Sequence, residues 1–204
     1  MISYNLRKYK NECQKINDNK LVFIPKLDSE NGKGKIKIMF INERPGPKTK
    51  RTDQVSFDNN DPSAKLFKYL FDKTFGLNYR QFIFITNAII WVPDEEKPRN
   101  YKPTKKELIN EVNLKILKDQ IKNIKPKVIV SLGNSALYSL KHIYKESTQL
   151  KTYSLKKNIG DLVKDTPIPI YPVYHTALLA QSTRKGIQQE KDWLKMRKKI
   201  KRLI

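Results

Sequence analysis

The sequence is poor in cysteine and histidine and contains no long apolar run. Cys13 is the only cysteine among 204 residues, which excludes a disulfide framework and any metal or iron–sulfur site built from several cysteines. No apolar run approaches the roughly 20 residues that span a bilayer, and the N-terminus lacks the apolar core of a secretion signal. We therefore expect a soluble, cytoplasmic protein with no membrane partner and no bound metal.

Acidic residues are also scarce relative to basic ones. The chain has 42 lysines and arginines against 20 aspartates and glutamates, a formal net charge of +22. An excess of this size favours polyanions as partners, and DNA is the obvious candidate. The alternative is that the lysines reflect a compositional bias and only keep the surface soluble.

Four short apolar runs rich in β-branched and aromatic residues predict buried strands, at residues 36–41, 82–86, 128–132 and 168–174. Amphipathic helical patterns alternate with them, as in βαβ crossovers. The predicted fold is α/β, a three-layer α/β/α sandwich with a four-stranded, mostly parallel sheet. We assign residues 36–204 to this domain and residues 1–35 to an N-terminal helix and arm packed on it, and we expect a monomer.

Helix boundaries are marked by capping residues. Asp61 and Pro62 predict a helix that ends near Gly76, and Thr104 with Glu107 predicts a capping box that opens one long helix ending before Pro126. Two further helices are predicted over residues 134–144 and from residue 186 to the end. The last carries Trp193, Met196 and Ile200 at helical spacing, which suits either a basic membrane-surface helix or packing on the sheet. We favour packing.

Polar residues follow each predicted strand. Asn42 and Glu43 come after the first strand, Asn87 after the second, Gly133 after the third and His175 after the fourth. Because the carboxyl ends of parallel strands share one edge of the sheet, these residues converge in space. A carboxylate, an amide, a glycine turn and an imidazole together indicate an active site. Taken singly, Glu43 also suits a solvated loop, His175 a strand end and Asn87 a turn or helix cap.

The order of these motifs resembles the uracil-DNA glycosylase superfamily, nearest to its family-four members. INERPG is similar to the family's Gly-Glu-Ala-Pro-Gly loop, with Glu43, Pro45 and Gly46 retained. Phe57 and the segment ITNAIIWVP around Asn87 resemble the next two motifs, and IKPKVIVSLGNSAL resembles the strand and glycine turn that follow. YHTALLAQ, which contains His175, is similar to the His-Pro-Ser loop. The resemblance covers residue 36 to about residue 186.

The resemblance implies a DNA glycosylase that cuts the N-glycosidic bond of uracil or a related damaged or modified pyrimidine, by base flipping, and leaves an abasic site for base-excision repair. Glu43 would orient or deprotonate water, and His175 would donate a hydrogen bond to uracil O2. Asn87 would read the O4 and N3–H edge. Phe57 would stack on the flipped base, although a phenylalanine there also suits the core. Asn42 and Arg44, in the same loop as Glu43, are further base contacts.

Contacts to DNA are expected from two loops and a helix N-terminus. Leu178 and Leu179 would enter the duplex where the base leaves, unless they pack in the core. The side chains expected to contact phosphates are Arg184, Lys185, Lys48, Lys50 and Arg51. Asn134 and Ser135 are expected to bind a phosphate through their backbone amides.

The chain departs from the family pattern at several positions. Asn42 replaces a glycine, Arg44 an alanine and Thr176 a proline, and the loop over residues 47–56 is longer and lacks the family's acidic pair. Trp91 and Val112 stand where two cluster cysteines are expected, so no iron–sulfur cluster and no other cofactor is expected. No lysine nucleophile is needed, which implies a monofunctional enzyme. The alternative is a DNA-binding protein that kept the fold without the reaction. An unrelated nucleotide-binding protein is disfavoured because no phosphate-binding glycine loop is present.

Overall fold

The computed structural model describes residues 22–27, 31–46, 55, 59–92 and 102–204. The N-terminal helix, Cys13, Phe57, Lys48, Lys50 and Arg51 lie outside the described residues, so the predictions for them stay predictions. In the described part of the arm, the Phe23 amide donates to the Ile90 carbonyl, 2.7 Å away. That part of the arm is therefore attached to the sheet domain.

One sheet of four parallel strands organises the described residues, in the order β2-β1-β3-β4. All residues of the strands are buried, as expected of a parallel sheet covered on both faces. The four predicted strands are confirmed to within two residues at each end. The strands are β1 (Ile38–Asn42), β2 (Ile83–Asn87), β3 (Val128–Leu132) and β4 (Ile170–Val173).

Two helices, α1 (Pro62–Phe75) and α8 (Gly186–Ile200), cover one face of the sheet. Asp61 caps α1 by accepting from the Ala64 amide, and Gly76 ends it, as predicted. Trp193 of α8 is fully buried and stacks on Phe40 of β1 with ring centroids 5.6 Å apart. Packing on the sheet, rather than on a membrane surface, is therefore confirmed for the apolar stripe of α8.

The opposite face is covered by α3 (Glu111–Ile124) and α4 (Gly133–Ile143). The prediction of one long helix before Pro126 was wrong. The capping box of Thr104 and Glu107 opens only α2 (Lys105–Leu108), and Asn110 then caps α3 through the Val112 amide. An asparagine whose side chain caps a new helix competes with continuation of the old one, which is the physical reason for the break.

Shorter elements complete the described chain, and the sequence did not predict them. A 3₁₀ helix (Leu77–Phe82) leads into β2, and three short helices lie on either side of β4: α5 (Thr148–Thr152), α6 (Leu155–Asn158) and α7 (Leu178–Thr183). The three-layer α/β/α sandwich is confirmed. No helix among these residues is long and apolar enough to cross a membrane.

Candidate active site

Glu43 follows β1 directly and is held from two sides. The Ser135 hydroxyl donates to its Oε2 over 2.5 Å, and Arg44 Nε lies 3.8 Å from its Oε1. Its side chain keeps 29% of its surface exposed. Glu43 is therefore a carboxylate that is oriented by neighbouring side chains and still reaches solvent, whereas the alternative of a solvated loop residue predicts only the exposure.

Ser135 belongs to the turn that joins β3 to α4. Gly133 opens this turn with φ of 83°, a left-handed conformation that glycine adopts without strain. Ser135 lies 92 residues from Glu43 along the chain, so only the pairing of β1 with β3 brings them together. We expected Asn134 and Ser135 to bind phosphate through their backbone amides at the start of α4, and this stays a prediction. The Ser135 hydroxyl donates to Glu43, and Asn134 is exposed.

His175 lies two residues beyond β4, against the same turn. A Cβ placed on Gly133 would lie 3.0 Å from the His175 Cβ, so a larger residue there would displace the imidazole as well as strain the backbone. The turn over residues 133–135 thus contacts His175 at its start and Glu43 at its end. The acid and the imidazole predicted from sequence share one site.

The protonation of His175 is determined by its surroundings. The Ala177 amide donates to Nδ1 over 2.9 Å, which leaves the proton of a neutral ring on Nε2. Burial lowers the pKa of His175 below 6.5, and the negative charges of Glu43 and Asp61 offset part of this effect. At neutral pH the ring is an uncharged donor through Nε2.

Asn42 and Asn87 end adjacent strands in register, as the last Cα partners of β1 and β2. Each is 4% exposed. By the alternation of side chains along a strand, both lie on the face of Phe40 and Ile85. Among the described residues, Asn42 Nδ2 and Asn87 Oδ1 have no hydrogen-bond partner. The alternative that Asn87 caps a helix is wrong, because Asn87 ends β2 and a bend over residues 88–89 follows it. The bend is compatible with the alternative of a turn residue.

The N-terminus of α1 also reaches the site, which the sequence analysis missed. Ser63 and Thr176 share a hydrogen bond of 2.9 Å between their hydroxyls, and Thr176 is buried. Asp61 acts on the charge of His175 from the same helix end. The Asp61–Pro62 pair indicated a helix start, but nothing in its local pattern indicated that this helix would point at His175.

The helix after His175 presents apolar side chains to solvent. Leu178 is 65% exposed and Leu179 51% exposed, so the alternative that they pack in the core is wrong. Arg184 makes two hydrogen bonds to Asp192, of 2.8 and 2.7 Å, and this raises the pKa of the guanidinium. The Arg184–Asp192 pair therefore links the end of α7 to α8. Lys185 is exposed.

Trp91 and Val112, at the positions of the two expected cluster cysteines, both pack into the core between the sheet and α3. Their side chains are apolar and carry no atom that ligates iron. The described residues at these two positions thus contribute packing to the domain.

The geometry accords with the comparison of the chain with known families. Residues 30–201 match the Uracil DNA glycosylase superfamily. This match covers most of the chain, and the protein belongs to that superfamily. Its members are in general DNA glycosylases, hydrolases that remove bases from DNA in base-excision repair, and this supports DNA as the partner of this chain. No curated protein matches the sequence.

The hydrogen bond between Ser135 and Glu43 leads to a first prediction. Ser135→Ala removes the donor that orients the carboxylate, and a hydrogen bond to a charged group is worth about 1.5–3 kcal/mol. We expect the kcat for base release to fall about tenfold with KM unchanged. Ser135→Thr, which keeps the hydroxyl, is the matched control and should restore most of the rate. A rise in KM with kcat unchanged would contradict this role.

Proposed function

We propose that this protein is a monofunctional DNA glycosylase that hydrolyses the N-glycosidic bond of uracil or a related modified pyrimidine and leaves an abasic site. The observation that supports it best is the arrangement around the turn over residues 133–135. This turn contacts an oriented carboxylate, Glu43, and an imidazole with a defined tautomer, His175. Base release needs one group of each kind.

Glu43 acts on the sugar side of the bond. Its carboxylate orients a water molecule toward C1′ and offsets the positive charge of the oxocarbenium-like transition state. The oxygen of this water forms a bond to C1′ while the C1′–N1 bond breaks, and the bonding electron pair leaves with the base. The water proton passes to Glu43 and then to solvent. This role needs an ionised and partly exposed side chain, which agrees with its 29% exposure.

His175 acts on the base side. As the C1′–N1 bond breaks, negative charge develops on O2 of the leaving uracil, and the Nε2–H of the neutral ring donates to it. The Ala177 amide at Nδ1 prevents the ring from presenting its other tautomer. Since burial lowers the pKa of His175, the group remains an uncharged donor over the physiological pH range.

The base is recognised at the ends of the strands, and the DNA is bound by the basic surface. Asn87 presents an amide to the O4 and N3–H edge of the extruded base. The net charge of +22 attracts the phosphate backbone, with Lys185 and Asn134 exposed beside the site. Lys48, Lys50 and Arg51, together with Phe57, complete the proposed contacts. Arg44, whose Nε lies 3.8 Å from Glu43 Oε1, is a further proposed base contact. The reaction as proposed uses no cofactor.

One assay tests this proposal. The protein is incubated, in buffer with EDTA, with labelled oligonucleotides that carry uracil, hypoxanthine, a thymine mismatch or a bulky cytosine derivative, each in single-stranded and duplex form. Scission at the modified position only after heating in alkali supports a monofunctional glycosylase. Scission without alkali indicates a lyase, and tight binding without scission of any substrate indicates a non-catalytic DNA-binding protein.

The exposed leucines of α7 lead to a second prediction. In Leu178→Ala/Leu179→Ala the wedge that replaces lost base stacking is absent, and unstacking costs a few kcal/mol per step. We expect kcat/KM on duplex uracil substrate to fall about 10- to 100-fold, with a smaller loss on single strands. Leu77→Ala is the control. Leu77 is 46% exposed but precedes β2, so it lies at the amino ends of the strands and not at the carboxyl ends that carry the site. Equal losses on both substrates would contradict the wedge.

A further inference from the structure

Asn42 stands out because it is a buried amide beside the proposed base-binding residue. The family's Gly-Glu-Ala-Pro-Gly loop has a glycine at this position, so the amide is a feature of this chain. Its side chain is 4% exposed, and Nδ2 has no hydrogen-bond partner among the described residues. A buried donor without a partner is costly and is often completed by a ligand or a bound water.

The neighbouring strand carries the complementary atom. Asn87 is the Cα partner of Asn42 and is equally buried, and its Oδ1 is likewise without a partner in the described part of the chain. Adjacent strands lie about 4.8 Å apart, and the two side chains leave the sheet on the same face. A donor and an acceptor are therefore presented next to each other at the sheet edge that carries Glu43 and His175.

We propose that Asn42 and Asn87 together form a two-amide reader that selects bases with a carbonyl next to a ring N–H. Asn42 Nδ2 donates to the carbonyl, and Asn87 Oδ1 accepts from the N–H. Uracil offers this pair as O4 and N3–H, and hypoxanthine as O6 and N1–H. Cytosine and adenine present an amine next to an unprotonated ring nitrogen, the reverse pattern.

The second amide restricts the orientation of the first. A lone asparagine can rotate by 180° and fit either pattern. If Asn87 rotated here, its NH₂ would face the NH₂ of Asn42, and two donors would lie side by side. The Asn42 donor therefore disfavours the rotated Asn87, and selectivity comes from the pair. This inference rests on the proposed function, since it names the class of base that the same site takes.

The test uses binding of the free base, so that it does not depend on catalysis. Uracil, hypoxanthine and cytosine are titrated separately into the full-length ¹⁵N-labelled protein, and the side-chain amide signals of Asn42 and Asn87 are followed by NMR. The variants are Asn42→Ala, which removes the donor, and Asn42→Asp, which replaces it with an acceptor. Thermal unfolding is measured for each variant.

We expect uracil and hypoxanthine, but not cytosine, to shift both amide signals. Asn42→Ala should weaken uracil binding about tenfold without lowering the unfolding temperature, because it removes a buried amide nitrogen that has no partner among the described residues. Asn42→Asp should no longer bind uracil and should bind cytosine. The inference is overturned if uracil shifts Asn87 alone, if Asn42→Ala binds uracil like the wild type, or if no base shifts either signal. If the bases bind as expected but the wild type releases no base from DNA, the proposed reaction is overturned and the proposed base selection by Asn42 and Asn87 is kept.

Discussion

Glu43→Gln is expected to lower the rate of base release by about 100- to 10,000-fold while DNA binding is kept, which is the range for loss of a general acid or base. The amide keeps the size of the side chain and can accept the Ser135 hydrogen bond through its oxygen, so the local fold is preserved. It cannot take a proton from water or offset positive charge on the sugar. Single-turnover base release and fluorescence anisotropy on a uracil-containing duplex measure the two effects separately.

Glu146→Gln is the matched control, because Glu146 is an exposed glutamate on the loop between α4 and α5, beyond the end of α4 that lies away from the Gly133 turn. Its rate and affinity should equal those of the wild type. Base release by Glu43→Gln at the wild-type rate would remove Glu43 from the mechanism. Loss of binding in step with activity would show instead that the carboxylate serves the structure of the site.

His175→Ala is expected to reduce base release by about 100- to 1000-fold, the effect of removing one preorganised donor from a developing anion. KM should change little, since the donor acts mainly in the transition state. His142→Ala is the control: this histidine lies on α4, its Nδ1 contacts the Tyr138 carbonyl, and its ring packs against that of Tyr138. A rate for His175→Ala within threefold of the wild type would exclude the proposed role.

The lowered pKa of His175 also predicts the pH dependence of stability. An unfolded histidine has a pKa of about 6.5, so as the pH falls the unfolded chain binds a proton before the folded one does. The contribution of His175 to the free energy of unfolding is therefore complete above pH 6.5 and is lost as the pH falls through the folded pKa. Denaturant unfolding between pH 7.5 and 5 should show a smaller acid loss in His175→Ala than in the wild type.

Local patterns in the sequence determined most of the architecture. Strand β3 was predicted to the residue, and the cap at Asp61 and the stop at Gly76 bound α1 as expected. These features depend on hydrophobic periodicity and on side chains that bond the backbone within four residues, so they can be read from neighbouring positions. The break at Asn110 was missed because an asparagine inside an amphipathic pattern predicts either a solvated helical residue or a cap.

The identity of the central site residues also followed from the sequence. Glu43, Asn87 and His175 were expected at one edge of the sheet because parallel strands have a common carboxyl edge, and the structure brings all three to that edge. What each side chain would contact could not be read in this way. The hydrogen bonds of the Ser135 hydroxyl to Glu43 and of the Arg184 guanidinium to Asp192 were not predicted, and the expected phosphate contacts of both residues stay predictions.

The sequence by itself therefore determined the class of fold, the order of its strands along the chain and the residues at their ends. Only the tertiary structure decided that Ser135 donates to Glu43, that the Gly133 turn contacts His175, and that Asn42 and Asn87 lie side by side with amide atoms that no described residue pairs. The physical reason is distance along the chain. A hydrogen bond between residues 92 positions apart depends on strand register and on the packing of whole layers, and no local pattern encodes either.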